Sequence, residues 1–284
     1  MMTAPVITAS HKRVPRFRLF RPTQIEEVCE LLRQWPDAAF HAGGIDLVSR
    51  MKNGIGPSVV IALQDVGALK GVRRVGDSIE IGAATSHWQI EHDSLLRSCV
   101  ACIPEYVSGL GNVRIRAQGT IGGNVMADEP GYEMLPLLAA LDAELRFVDA
   151  TDREERTAPA RAWRPAANNG LLTAIAVPVR LRTLAWNREQ RPAFGLVASL
   201  DWDGEMVRAG FGAVTGQRTT WRPLALDGAI SRMEMQAQAP SLAQHWAARL
   251  PDIVLPGGPN ARYCRHVASV WFRRALLQMT QSRP

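Results

Sequence analysis

The sequence predicts an α+β protein, and three observations lead to this prediction. In the first 63 residues an amphipathic helix lies between short apolar segments that have the character of strands. From residue 71 onward, pairs of predicted strands flank polar or glycine-containing turns, which is typical of antiparallel sheets. In the last third a long hairpin precedes two helical segments. Strands followed by helices in this way indicate a separate C-terminal domain.

The first part of the chain has the pattern of a small β-α-β unit. An apolar stripe predicts a helix over residues 23–35, and Thr23 and Glu26 fit a capping box at its start. Residues 38–44 and 58–63 are apolar enough to be buried strands. The first of these strands ends in a glycine-rich turn.

The middle part predicts a mixed unit with antiparallel strands. Its predicted elements are two strands around Gly76 and Asp77 within 71–85, a helix from Thr85, a helix over 94–110, a helix over 133–143, a hairpin over 144–158 and a strand over 170–178.

The last third predicts a small unit of antiparallel strands and helices. Residues 194–214 form the clearest hairpin pattern in the chain, with Asp203 and Gly204 as a two-residue turn. Helices are predicted over 241–250, capped by Ser241, and over 261–279.

These patterns divide the chain of 284 residues into three regions. Residues 1–14 form a flexible tail, 15–178 a two-part domain with subdomains of about 15–63 and 64–178, and 179–284 a C-terminal domain. No apolar stretch reaches the roughly 18 residues of a transmembrane helix, and the N-terminus lacks the order of a signal peptide. A cytoplasmic protein is therefore expected.

Charge and reactive side chains exclude several functional classes. The 33 basic and 27 acidic residues give a net charge of +6, with arginines near both ends of the chain. Nucleic-acid binding is not indicated, because no basic run is interleaved with aromatic residues; the basic ends favour an acidic protein partner or a solvated surface. Cys99 and Cys102 form a C-x-x-C, which predicts two buried thiols on one helical face rather than a redox or metal site. The six histidines show no metal-ligand spacing, so no metal site and no catalytic residue are predicted.

Two glycine-rich segments are the strongest candidates for a binding site. They are FHAGGIDLVSRMKNG (40–54) and RIRAQGTIGGNVMADEP (114–130). Glycine allows the backbone to approach a ligand closely, and successive amides can form an anion-binding nest. Two facing nests would suit a pyrophosphate, with Thr120 and Asn124 as further donors. The spacing alone slightly favours two tight turns beside strands.

Three segments together resemble the FAD-binding subunit of molybdenum hydroxylases. They are AGGIDLVSRMKNG (42–54), IEIGAATSHWQI (79–90) and the run from VRIRAQGTIGGN to LDAEL (113–145). The family's pattern runs A-G-G-T-D-L, then I-G-A-x-T, then I-R-N-x-G-T-I-G-G-N. The family includes the medium subunit of carbon monoxide dehydrogenase and the flavin domain of xanthine dehydrogenase, and the similarity extends over nearly the whole chain.

The resemblance implies a two-part FAD-binding region followed by a small C-terminal flavoprotein domain. FAD would be noncovalent, with its pyrophosphate between the two glycine segments, a ribose hydroxyl on an acidic residue and apolar side chains near the flavin. The positions implied are Ala42, Gly43, Gly44, Ile45, Asp46 and Leu47, then Thr120, Ile121, Gly122, Gly123 and Asn124, then Glu133 for the ribose and Leu110 and Leu172 near the flavin.

Three positions depart from the family's pattern. Ile45 replaces the usual Thr, Ala117 the usual Asn, and Glu133 the usual Asp. Backbone amides supply most of the donors in a nest, so FAD binding is expected to survive these changes. Some relatives carry an inserted iron–sulfur cluster, but four scattered cysteines do not provide its ligands.

The resemblance also implies a function and partners. The chain would pass electrons from two 2Fe–2S clusters on a small subunit, through FAD, to an external acceptor, while a large molybdenum-cofactor subunit oxidises the substrate. An αβγ trimer follows from the family, whereas the substrate and the acceptor do not follow from this sequence. Two alternatives stay open: a stand-alone FAD oxidase or reductase of the related fold, and an assembly subunit that has lost its flavin.

Overall fold

The structure is a computed structural model that describes residues 14–127, 132–163, 170–187, 194–203, 206–215, 230–249 and 261–281. The strands are β1 (Arg18–Phe20), β2 (Ala39–His41), β3 (Val59–Ala62), β4 (Val72–Val75), β5 (Ser78–Gly82), β6 (Glu144–Asp149), β7 (Glu155–Pro159), β8 (Gly170–Pro178), β9 (Arg182–Asn187), β10 (Phe194–Asp203), β11 (Met206–Thr215) and β12 (Ile230–Ser231). The α-helices are α1 (Ile25–Gln34), α2 (Ile45–Lys52), α3 (His87–His92), α4 (Ser94–Cys99), α5 (Cys102–Ser108), α6 (Val113–Gln118), α7 (Ile121–Met126), α8 (Met134–Ala140), α9 (Arg232–Arg249) and α10 (Ala261–Gln281). The predicted α+β class is confirmed.

The N-terminal unit is a parallel sheet of three strands in the order β1-β3-β2. Parallel strands need crossover connections, and α1 and α2 provide them. Helix α1 starts later than its predicted capping box implies. The backbone N–H of Thr23 donates to Glu27 Oε2 at 2.7 Å, so Glu27, not Glu26, supplies the reciprocal carboxylate. The cap residue Gln24 makes no side-chain bond.

The middle unit is a five-stranded antiparallel sheet in the order β4-β5-β8-β6-β7, covered by short helices. The predicted hairpins and the strand over 170–178 are confirmed. The single helix predicted over 94–110 is wrong, because the chain breaks at Val100 and Ala101 into α4 and α5. Cys99 and Cys102 therefore lie on two helices, and both thiols are half-buried and free.

The C-terminal unit is an antiparallel sheet in the order β12-β11-β10-β9, covered by α9 and α10. Alternate side chains of β10 point to opposite faces, as in any strand. Leu196 and Leu200 belong to the core beneath α9 and α10, whereas Val197 belongs to the core of the middle unit. On that same face the Ser199 hydroxyl donates to the carbonyl of Ala140, at the end of α8. One sheet thus joins two cores.

Two details of the C-terminal unit differ from prediction. The β10–β11 register pairs Asp203 with Met206, so the two connecting residues are 204 and 205, which lie outside the described residues. Helix α9 begins at Arg232, not at Ser241, because Ser231 and Glu234 form a capping box. The Ser231 N–H donates to Glu234 Oε2 at 2.9 Å, and Ser231 Oγ accepts from the Glu234 N–H at 3.2 Å.

This capping box gives a test of where α9 starts. Ser231→Ala is expected to lower the free energy of unfolding by about 1 kcal/mol, because a helix N-terminus loses its side-chain acceptor. Ser241→Ala is the matched control, since that hydroxyl lies inside the helix and donates to the Gln238 carbonyl. The measurement is urea unfolding followed by circular dichroism. Equal destabilisation by both variants would contradict a start at Arg232.

An ion-pair cluster joins the middle and C-terminal units. Asp201 on β10 accepts from Arg180 at 3.0 Å and forms an ion pair with Arg182 Nε at 2.9 Å, and Arg180 also reaches Asp142 at 3.2 Å. The Arg182 side chain is 3% exposed. Its Nη1 also donates to the Leu141 carbonyl at 2.8 Å, and this bond offsets part of the free-energy cost of burying the charge.

The proposed boundaries at residues 14, 63 and 178 stay predictions.

None of the helices in the described ranges is both long and apolar enough to cross a bilayer.

Candidate functional site

The first glycine segment connects β2 to α2. Gly44 has a φ of +73° and caps α2, and a Cβ there would lie 2.5 Å from His41 Nε2, so only glycine fits. The first amides of any helix lack partners within it. In the described part of the chain, the N–H groups of Gly43, Gly44, Ile45 and Asp46 donate to no other backbone group. This end of α2 therefore presents a row of donors to an anion.

The two glycine segments meet in space at Gly43. A Cβ on Gly43 would lie 2.0 Å from the carbonyl oxygen of Gln118 and 3.0 Å from the Cα of Gly119. A side chain is therefore excluded at Gly43, and the two backbones are in contact. The two distant glycine segments thus meet in space, whereas the prediction that they form one binding site stays a prediction.

The second segment is helical, which differs from both interpretations of the sequence. Helices α6 and α7 flank Gly119 and Thr120, and Gly122 and Gly123 lie within α7. Thr120 caps α7, since its Oγ1 accepts from the Gly123 N–H at 3.1 Å. The segment is neither a turn beside a strand nor a free nest of amides.

The amides at the start of α7 are occupied by the chain that follows β5. The Ile121 N–H donates to the Thr85 carbonyl at 3.0 Å, and the Gly122 N–H donates to the Ala83 carbonyl at 2.8 Å. A Cβ on Gly122 would lie 2.7 Å from the same Ala83 oxygen. The motif IGAAT (81–85) thus accepts hydrogen bonds from the first amides of α7, and we call it the seat of α7. The backbone donors without a backbone acceptor among the described residues therefore lie mainly in the first segment.

Asn124 contacts the residue that follows Glu133 in the chain. Asn124 Oδ1 accepts from the backbone N–H of Met134 at 3.1 Å, which fixes the start of α8 next to the end of α7. Glu133 directly precedes α8 and is 6% exposed, and its carbonyl accepts from the Tyr106 hydroxyl at 3.2 Å. A carboxylate held here lies beside the second segment.

The remaining positions lie either in the protein core or beside one of the two glycine segments. Leu110 and Leu172 are buried in the core of the middle unit, Leu172 on β8 and Leu110 just after α5. Ile45 is the first residue of α2 and adjoins the unpaired amides. Ala117 is exposed on α6, one residue from the contact with Gly43.

One side chain behind the second segment was not predicted. His87 is 3% exposed, its N–H donates to the Gly119 carbonyl at 2.9 Å, and its ring lies against Gly119. Burial, with the Arg116 cation as a second cause, lowers the pKa of His87 to about 4. The capping box of Ser86 and Gln89 is visible in the sequence and places His87 at the start of α3, but burial of the ring depends on tertiary packing.

Metal and thiol chemistry are not features of the described site. Among the described residues no group of three or more His, Cys, Asp or Glu side chains is arranged to hold a metal ion. Burial raises the pKa of the Cys102 thiol to about 11, which opposes formation of a thiolate.

Comparison with known sequences identifies relatives of this chain. It is 27% identical over 181 residues to caffeine dehydrogenase subunit beta from a Pseudomonas species, which covers 61% of each protein. It is 34% identical to the carbon monoxide dehydrogenase medium chain of Afipia carboxidovorans, over 57% of this chain and 59% of that one. The chain therefore matches about three fifths of the length of these relatives.

Solved structures share the fold over almost the whole chain. The Cu,Mo-CO dehydrogenase in its cyanide-inactivated form has a chain with a TM-score of 0.77 and 25% identity, covering 94% of this chain and 98% of that one. Quinoline 2-oxidoreductase from Pseudomonas putida 86 gives a TM-score of 0.79 at 19% identity, covering 95% and 98%, which shows the fold alone.

A sequence profile of one family supplies the assignment. The profile, described as the FAD binding domain in molybdopterin dehydrogenase, matches residues 15–180 of the 284. The match includes both glycine segments, the seat of α7 and the whole five-stranded sheet. This chain therefore belongs to the family of FAD-binding domains of molybdopterin dehydrogenases.

Proposed function

We propose that this chain is the FAD-carrying electron-transfer subunit of a heterotrimeric molybdenum hydroxylase, with its FAD bound noncovalently between the two glycine segments. The close approach of Gly43 to Gln118 is the observation that carries the proposal. It joins two segments about 75 residues apart in sequence at a helix start whose amides donate to no other backbone group among the described residues. Backbone donors at a helix start are well suited to a pyrophosphate.

The chain's own residues divide the work of binding. Gly43, Gly44, Ile45 and Asp46 offer backbone N–H groups toward a phosphate, while Asp46 itself pairs with Arg50 at 2.9 Å. On the other side the donors are side chains, the hydroxyl of Thr120 and the amide of Asn124. Glu133 is positioned to accept from a ribose hydroxyl. The remaining predicted positions support the backbone: Ala42, Leu47, Ile121, Gly122 and Gly123 around the two segments, and Leu110 and Leu172 in the core.

Electron transfer needs a bound and exposed cofactor rather than acid–base residues. FAD, when bound, exchanges electrons both singly and in pairs. We place the 2Fe–2S clusters that deliver electrons on a small partner subunit, and the molybdenum cofactor that oxidises the substrate on a large one. Relatives named as a medium chain and as an FAD-subunit support this division of labour. The electrons then leave to an external acceptor.

Absorption spectroscopy of the chain, alone and with its partners, tests the proposal. Purified chain mixed with FAD and freed of excess by gel filtration is expected to retain about one flavin per chain. Affinity purification of the tagged chain from its own cells is expected to recover a large molybdenum subunit and a small iron–sulfur subunit. Flavin without partners would favour a stand-alone flavoenzyme, whereas partners without flavin would favour an assembly subunit.

Ile45 offers a change that is expected to strengthen FAD binding. Ile45→Thr restores the hydroxyl that the family's pattern has beside the unpaired amides. A hydrogen bond to a charged group contributes about 1.5 kcal/mol or more, so we expect the Kd for FAD to fall about tenfold. The measurement is a titration followed by quenching of flavin fluorescence. Ile45→Val is the matched control, because Val has the shape of Thr without the hydroxyl; an equal gain in both variants would contradict the role of the donor.

A further inference from the structure

Helix α6 leads into one side of the contact between the two glycine segments, yet no fully buried apolar side chain fixes it to the rest of the protein. None of its six residues is buried, and Val113 and Ile115 are 53% and 37% exposed. Burial of apolar area normally fixes a short surface helix, since so few residues give little helical stability of their own. Polar contacts therefore contribute much of what fixes α6, and with it the Gln118–Gly119 peptide at its end.

Arg116 makes the contacts that α6 needs. Its Nε donates to Glu91 Oε2 on α3 at 2.8 Å. Its Nη1 donates to the Leu110 carbonyl, just after α5, at 3.1 Å. The Arg116 and Glu91 side chains are 15% and 17% exposed, so water screens this pair less than a surface ion pair. A single guanidinium thus ties α6 to two other elements at once, using the fixed geometry of its donors.

His87 contacts Gly119 from the opposite side, through the next peptide group, Gly119–Thr120. Its backbone donates to the Gly119 carbonyl, and a Cβ on Gly119 would lie 3.2 Å from its ring. Glu91 lies one turn further along α3, so the histidine and the ion pair act from the same helix. Gly119 is in turn the residue whose Cα faces Gly43.

We propose that Arg116 and Glu91 are positioning residues for FAD binding: their ion pair holds α6 so that the Gln118–Gly119 peptide closes against the first glycine segment. The proposal rests on the proposed function, because it takes the junction at Gly43 as the FAD site. Neither side chain needs to touch the cofactor. Loss of the pair frees α6 to move and separates the two halves of the site.

Titration of FAD into full-length variants tests this inference. Arg116→Gln and Glu91→Gln are each expected to raise the Kd for FAD about tenfold. Loss of a residue that orients a metal ligand lowers metal affinity about 10- to 100-fold, and we expect the lower end of that range here. The double variant is expected to be little worse than either single one, since the two changes break one interaction. Exchanging the charges, Glu91→Arg with Arg116→Glu, is expected to recover part of the affinity.

Arg97→Gln is the matched control for this experiment. Arg97 on α4 also contacts Glu91, but through the backbone carbonyl at 2.9 Å and on an exposed surface, so its loss should leave the Kd unchanged. Thermal unfolding of the FAD-free variants separates positioning from folding. A lower Tm with an unchanged Kd would overturn the inference while the proposed function stands. Failure of the unaltered chain to bind FAD would overturn both.

Discussion

Gly43→Ala is expected to weaken FAD binding by about 100-fold or more, which corresponds to about 2.7 kcal/mol of binding free energy. The added Cβ would lie 2.0 Å from the Gln118 oxygen and 2.7 Å from its carbonyl carbon, which are backbone atoms and cannot turn away. The two segments must therefore separate, and the donors of Ile45 and Asp46 lose their alignment with those of Thr120. Overpacking also costs the fold about 1–3 kcal/mol.

Gly67→Ala is the matched control for this substitution. A Cβ on Gly67 would meet nothing within 4 Å, and its φ lies outside the left-handed region, so alanine fits there without strain. Flavin retention after gel filtration and fluorescence titration measure the two Kd values, and thermal unfolding reports the stability of each variant. Tight FAD binding by a stable Gly43→Ala protein would show that the cofactor does not lie at this junction.

Local patterns predicted most of the strands, because a hairpin is specified by residues close in sequence. The pair 71–85 and the pair 144–158 have alternating side chains and a turn, and both form as predicted. Helix limits were less predictable where two capping signals compete. Ser241 has the residue type of a cap, but Ser231 has the reciprocal Glu234 as well, and the helix starts there.

The candidate site could be predicted only in part. The resemblance identified both glycine segments, and their common location agrees with the contact at Gly43. It did not predict that α7 uses its first amides for the seat at Ala83 and Thr85, because those bonds join residues about 36 apart. For the same reason the pair of Arg116 and Glu91, 25 residues apart, was not expected.

His87→Phe is expected to remove a large part of the protein's sensitivity to mild acid. The folded-state pKa of His87 is about 4, against 6.5 for an ordinary histidine. Between these values the unfolded chain binds a proton that the folded chain does not, so stability is complete above pH 6.5 and falls as the pH decreases toward 4. From pH 7 to pH 5 the loss from this residue is about 2 kcal/mol.

Urea unfolding at about pH 7 and about pH 5 measures this difference. His87→Phe should lose about 2 kcal/mol less than the unaltered chain over that interval, because a phenyl ring fills the buried site and takes up no proton. At pH 7 the stability of His87→Phe should be close to that of the unaltered chain, since Nδ1 of His87 has no hydrogen-bond partner within the described residues and no bond at that atom is lost. His92→Phe, on the exposed face of the same helix, is the matched control and should keep the acid loss. If His87→Phe kept the full loss, other groups would have to carry the acid sensitivity. If it removed the loss, the acid sensitivity would come from the buried ring beside Gly119, which must stay neutral for the folded protein to be stable.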